Sequence, residues 1–175
     1  MHTVVSALTH FAGLLTLKNK PQDLLCSKNM LIILFVLLFL IFKLTVKRSI
    51  PELAKITALI PIFVVIYEGL FLTVLFSMLN KSGKKNRFVQ SACNFIGVHI
   101  TSCLISPIIA LLPFPLFFLC LAKSWLLLVN FNITKHTFDI DQIKAVWTYL
   151  LINTIAIITM AIPCMILGAL YGGVK

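Results

Sequence analysis

Residues 56–79 read ITALIPIFVVIYEGLFLTVLFSML, an apolar run entered after Pro51 and broken by one charged side chain, Glu68. As a helix it would reach about 36 Å, more than the roughly 30 Å of a bilayer's hydrocarbon. A run of that length reads as a transmembrane helix. Four more apolar stretches follow the same logic, at about 30–46, 89–111, 113–130 and 145–171. The stretch at 30–46 covers roughly 26 Å, enough to cross when Lys43 extends its ammonium to the interface. No small-residue cleavage site follows it; Lys47, Arg48 and Ser49 come instead, so it reads as an uncleaved anchor. Pro113 and Pro115 separate the third and fourth spans with no polar loop between, which predicts a tight hairpin. Pro163 predicts a kink in the fifth. The expected fold is an all-α integral membrane protein, a five-helix transmembrane bundle over residues 30–175.

Composition agrees. Hydrophobic residues make up 60% of the chain, charged residues 11%, and the mean hydropathy is +1.05. Soluble domains carry about 45–50% apolar and about 25% charged residues. The net charge of +10 sits in short segments beside apolar spans. There, anionic lipid headgroups and the excess of bases in cytoplasmic loops account for it, and nucleic acid is not expected as a partner. With the N-terminus cytoplasmic, nine of the fourteen flanking bases fall inside (Lys18, Lys20, Lys28, Lys81, Lys84, Lys85, Arg87, Lys135, Lys144). Lys43, Lys47, Arg48, Lys55 and Lys175 fall outside. The expected location is a membrane, with the N-terminus on the cytoplasmic side.

Residues 1–29 precede the first span. Val4, Leu8, Phe11 and Leu15 trace one helical face, which predicts an amphipathic interfacial helix; a disordered tail is the plain alternative. Pro21 suits the first turn of a further helix running into the first span. Asn132 to Lys144 reads as a polar connection in which Asp139 and Asp141 start the last helix.

Three ionisable side chains fall near mid-membrane in separate spans: Glu68, His99 and Lys123. Counted from the inner ends of their spans, their depths differ by only about 6 Å. A charge at the bilayer centre costs a few kcal/mol and usually finds a partner inside a bundle. One expectation is a relay or binding site made of carboxylate, imidazole and amine. The plainer one is a structural ion pair of Glu68 with Lys123, His99 donating to a backbone carbonyl. Gly69 and Gly97 lie beside these residues and would allow close helix approach. Gly97 with Thr101, and Gly168 with Gly172, are small-xxx-small pairs of the kind that pack helices together. Lys81, Lys84, Lys85 and Arg87 form the densest basic patch, expected as a solvated cytoplasmic loop or as a dock for an acidic partner. Trp125 lies too deep for an interfacial anchor, whereas Trp147 begins the fifth span where an aromatic belt belongs.

Enzyme signatures are lacking. HExxH, GxSxG and a P-loop are absent, and no second intramembrane carboxylate could share acid–base work. Of the five cysteines no two form C-x-x-C, so they read as small packing residues, with no metal site, catalytic residue or cofactor expected. The function expected is that of a non-enzymatic accessory or scaffold subunit, with a membrane-protein partner or homo-oligomer. The alternative is a small transporter or proton-coupled permease using Glu68, His99 and Lys123.

Two stretches carry a family resemblance: LLTLKNKPQDLLCSKNMLIILFVLLFLIF at 14–42 and the basic NKSGKKNRF at 80–88. With the five-span layout, the chain resembles small bacterial inner-membrane proteins of Yip-like architecture. That likeness implies a bacterial inner membrane, five spans and a cytoplasmic N-terminus. Eukaryotic Yip proteins associate with membrane-trafficking GTPases and carry a D-L-Y-G-P signature. Here Asp23-Leu24 is followed by Leu25, Cys26 and Ser27, so the Tyr, Gly and Pro are missing.

Overall fold

A computed structural model describes residues 9–11, 13–17, 21, 26–49, 60–109 and 111–172. Its helices are α1 (Lys28–Ser49), α2 (Ile60–Lys81), α3 (Phe88–Ile109), α4 (Pro115–Phe138) and α5 (Gln142–Gly172). Residues 9–11 and 13–15 are also helical, and strand is absent among the described residues. Among the described residues, four helical stretches are long and apolar enough to cross a membrane: Pro61–Lys81, Lys85–Ile109, Pro115–Phe138 and Gln142–Ile162. Lys28–Ile41 adds a shorter apolar segment.

The helices close a ring in the order α1, α3, α4, α5, α2, with α1 packed most extensively on α3. Local chemistry sets the ends. Ser27 caps α1: its Oγ accepts from Met30 N at 3.2 Å. The helix therefore begins at Lys28 rather than at Pro21. Pro21 sits in a 3-10 turn, and residues 22–25 lie outside the described residues. Gly83, at φ +72°, ends α2 with Lys84 N bonded to Leu79 O at 2.8 Å, a left-handed stop that glycine adopts without strain. Asp141 starts α5, its Oδ1 accepting from Lys144 N at 2.8 Å. Asp139 does not share that task; it ends α4 in the left-handed region at φ 49°.

α4 runs eight residues past Asn130, where a polar connection was expected. Asn130, Ile133, Thr134, Thr137 and Phe138 are all buried there, a face at helical spacing. Thr134 Oγ1 returns its proton to Asn130 O at 2.9 Å, and Thr137 meets Ser91 of α3 at 2.9 Å. These hydroxyls are satisfied inside the bundle, so polarity did not end the helix. At the other end of the hairpin, Phe114 at φ 60° caps α4 and Pro115 opens it.

The core lies at one end. It is built from the C-terminal half of α2 (Phe71, Leu75, Leu79), the N-terminal half of α3 (Ala92 to Val98), the last turns of α4 and the first turns of α5 (Ala145, Tyr149, Ile152). Tyr149 is the hub, with Phe71, Phe95 and Phe131 rings at 6.2, 6.1 and 5.4 Å.

The N-terminal segment is built into this bundle. Phe11 and Leu14 are buried, and a Cβ on Gly97 would lie 2.2 Å from the Phe11 ring. Gly97 thus admits an aromatic side chain, not a second helix backbone. Trp125 Nε1 donates to Leu15 O at 2.7 Å, and Asn94 Nδ2 to Pro21 O at 2.7 Å. The described part of the expected interfacial helix therefore turns its apolar side to protein; Val4 and Leu8 lie outside the described residues. Cys26 and Cys93, expected as unpaired packing residues, are joined as a disulfide across 67 residues. Among the described residues nothing lies within 4 Å of a Cβ on Gly69. Gly168 and Gly172 belong to α5, and their surroundings lie outside what is described.

Candidate intramembrane polar site

Glu68 of α2 and His99 of α3 meet directly: His99 Nδ1 contacts Glu68 Oε1. The carboxylate is 4% exposed and the imidazole 27%, so the pair is buried on the α2 side and open on the α3 side. Glu68 Oε2 is buried without a hydrogen-bond partner among the described residues. A carboxylate held against an imidazole can share one proton, and the spare oxygen offers a second acceptor.

Lys123 does not complete an ion pair with Glu68. Its Nζ donates to Ser102 Oγ of α3 at 3.0 Å, one turn beyond His99, and it lies within electrostatic reach of that imidazole. The depth match expected from counting residues therefore holds for Glu68 and His99, while the partner of the carboxylate is the imidazole, not the amine. Thr101 turns its hydroxyl onto Gly97 O at 2.8 Å, spending it within α3.

Beside this pair runs a second set of polar contacts that the sequence did not single out. Tyr67 donates to Asn153 Oδ1 of α5 at 2.5 Å, Asn153 Nδ2 to Tyr149 O at 2.9 Å, and Asn130 Nδ2 of α4 to Tyr149 OH at 3.0 Å. The set links α2, α5 and α4 at the level of the aromatic hub. Its signal was available: Tyr67, Asn130, Tyr149 and Asn153 are hydrogen-bonding side chains within apolar spans, where an unpaired polar group is costly.

The basic patch is partly spent within the chain. Arg87 lies 2.7 Å from Asp139 Oδ2 and donates to His136 O at 3.1 Å, while Lys84 reaches Phe138 O and Asp139 Oδ2. Two cations thus sit on the last carbonyls of α4, the negative end of its dipole. The hydrogen bonds from Arg87 and then Lys84 hold the Asp139 carboxyl below its ordinary range. Lys85 lies 5.5 Å over the Phe76 ring, and Lys81 is exposed. Groups of three or more His, Cys, Asp or Glu side chains placed to hold a metal ion are absent among the described residues. Comparison of the chain with protein-family models, curated proteins and solved structures finds no match.

Proposed function

We propose that this chain is a non-enzymatic multi-pass membrane protein that serves as an accessory or scaffold subunit of a membrane assembly. One observation carries the proposal: hydrogen-bonding side chains within the helices are used to tie helix to helix. Tyr67 with Asn153, Asn130 with Tyr149, and Ser91 with Thr137 each cross between elements. Interhelical hydrogen bonds of this kind hold membrane bundles together and leave little polar surface for a reaction. In this reading α1 is a fifth span, the N-terminus and the basic loop face the cytoplasm, and the membrane is a bacterial inner membrane. The Yip-like layout of the sequence belongs to the same reading.

Purification in a mild detergent tests it. A stoichiometric membrane partner or a defined homo-oligomer is the expected outcome; a monomer whose reconstituted vesicles carry a proton or solute flux would overturn it. That flux is what the second reading, a small transporter or proton-coupled permease, requires. Its support is specific: the buried Glu68 carboxylate has one oxygen free of hydrogen bonds among the described residues, and its imidazole partner is partly open. Reporter fusions test the orientation, with a cytoplasmic reporter expected to be active in the Lys81–Arg87 loop and inactive after Lys175.

A further inference from the structure

We infer that the cavity between α3, α4 and the N-terminal segment binds a small aromatic carboxylic acid, its ring in the cavity and its carboxylate on Lys123. The inference rests on the membrane location of these helices and not on the accessory role. The cavity measures about 140 Å³ and is lined by Ser102 and Ile105 of α3, Ala122, Lys123 and Trp125 of α4, and Leu15 of the N-terminal segment. Its walls are apolar except at Lys123 and the serine hydroxyls. An apolar cavity of about 150 Å³ takes one benzene ring, so the space suits a single ring and is too small for an acyl chain. Lys123 stands eight residues after Pro115, about 12 Å along α4, which is deeper than a lipid headgroup reaches.

Lys123 is the reason to assign an acid. It is exposed on α4 among Leu121, Leu127 and Leu128, which are exposed and apolar. An ammonium has three donors, and one goes to Ser102 Oγ at 3.0 Å. Ser102 is 7% exposed, and its own hydroxyl proton has no acceptor among the described residues, so it can serve the same carboxylate. The chain has five acidic side chains. The three among the described residues are engaged elsewhere: Glu68 with His99, Asp139 with Lys84 and Arg87, and Asp141 with Lys144. Asp23 and Glu52 lie outside the described residues. An uncompensated cation facing hydrocarbon is costly, and so is the passage of a free anion to it. A carboxylic acid avoids the second cost because its proton travels with it. Held at Lys123, that proton rests on the nitrogen, and the ammonium–carboxylate pair carries no net charge. The cavity wall is also fixed in place, because Trp125 Nε1 donates to Leu15 O at 2.7 Å.

Trp125 makes the site observable. The chain has two tryptophans, so Trp147→Phe leaves Trp125 as the sole indole. The probe is 2-aminobenzoate, which absorbs where an indole emits, so binding transfers energy from Trp125 to the ligand. The purified variant is titrated with it in mild detergent, then competed with benzoate, toluene and acetate at equal concentration. Saturable transfer is expected, displaced by benzoate and not by toluene or acetate. Lys123→Met is expected to weaken binding about tenfold, the worth of a charge-assisted hydrogen bond. Ala122→Phe, which fills the cavity and leaves the lysine, is expected to weaken it as much, and it carries the test if Lys123→Met does not accumulate. Transfer that does not saturate, or binding unchanged in either variant, would overturn the inference. So would displacement by toluene, which would mark an apolar cavity with no role for the lysine, or by acetate, which would mark a plain anion site with no role for the ring.

Discussion

The end of the bundle that carries the basic loop and the end that carries the α3–α4 hairpin are made from the same apolar alphabet and are put together differently. At the loop end, Leu75, Leu79, Ile96 and Ile133 are shut away, hydroxyls meet across helices, and Lys84 and Arg87 close over the end of α4. At the hairpin end, every residue from Leu111 to Phe117 is exposed, Leu111 to 86% and Phe114 to 79%. Hydrophobicity alone does not say which of the two a stretch will become. In a membrane, lipid covers apolar surface as well as protein does, so what distinguishes a packed end is side chains that bond or interlock across helices. The Glu68–His99 pair lies between the two regimes.

The largest expected effect is at that pair. Glu68→Leu leaves His99 without its partner, and breaking a buried charged pair costs about 3–5 kcal/mol. Replacing both residues with leucine is expected to restore most of the loss. A double-mutant cycle read by unfolding in detergent should show this coupling for Glu68 with His99 and near-additive losses for Glu68 with Lys123. Strong coupling of Glu68 with Lys123 instead would mean that the ammonium leaves Ser102.

One substitution placed at both ends tests the contrast itself. Leu79→Ala at the loop end removes a fully buried side chain and is expected to cost about 2–5 kcal/mol. Leu111→Ala at the hairpin tip should fall within about 0.5 kcal/mol. Similar losses at the two sites would show that the hairpin is covered by protein rather than lipid. The N-terminal clamp comes next. Gly97→Val drives a methyl group into Phe11 and is expected to cost about 1–3 kcal/mol, releasing the first residues to protease. Adding Phe11→Ala should recover stability without restoring protection.

The smallest effect is electrostatic. The Asp139 carboxyl is held below its ordinary range by Arg87 and Lys84. Its contribution is therefore present above the unfolded carboxylate value of about 3.9 and fades as pH falls through the lower, folded value. The expected readout is a slight loss of stability below about pH 4 that Asp139→Asn abolishes. Equal stability of Asp139→Asn and the parent chain at neutral pH and low salt would assign the loop's hold on α4 to the carbonyl contacts alone.

Much of the helical layout was legible because unbroken apolar length is a direct constraint. Asp141 as a cap, the prolines at the hairpin and the shared height of Glu68 and His99 were legible too. What a count of residues along each span could not supply was rotation. It also set Lys123 nearer the loop end than His99, whereas its partner Ser102 lies one turn beyond His99, because α4 runs on past Asn130. Lys123 stands seven residues, two turns, before the buried Asn130 on the same face of α4, and there the bundle no longer covers it. The extension of α4 past Asn130 was recoverable. Asn130, Thr134 and Thr137 recur at helical spacing with Ile133 and Phe138, a pattern that polarity disguised as a loop. The seat of the N-terminal segment was not recoverable, because its partners Gly97, Asn94 and Trp125 are more than 70 positions away.

The Cys26–Cys93 bond joins the start of α1 to the start of α3 at the loop end, where Cys93 is wholly buried. A sulfur–sulfur bond is also a record of compartment, since disulfides persist on oxidising faces and glutathione keeps cytosolic thiols reduced. Acid-quenching cells, alkylating free thiols in denaturant, then comparing migration with and without reductant, reads which face of the membrane this end occupies. Both thiols captured as alkylated species agrees with a cytoplasmic loop. A bond formed in every copy would turn the bundle over, placing the basic loop outside and the end of the chain within.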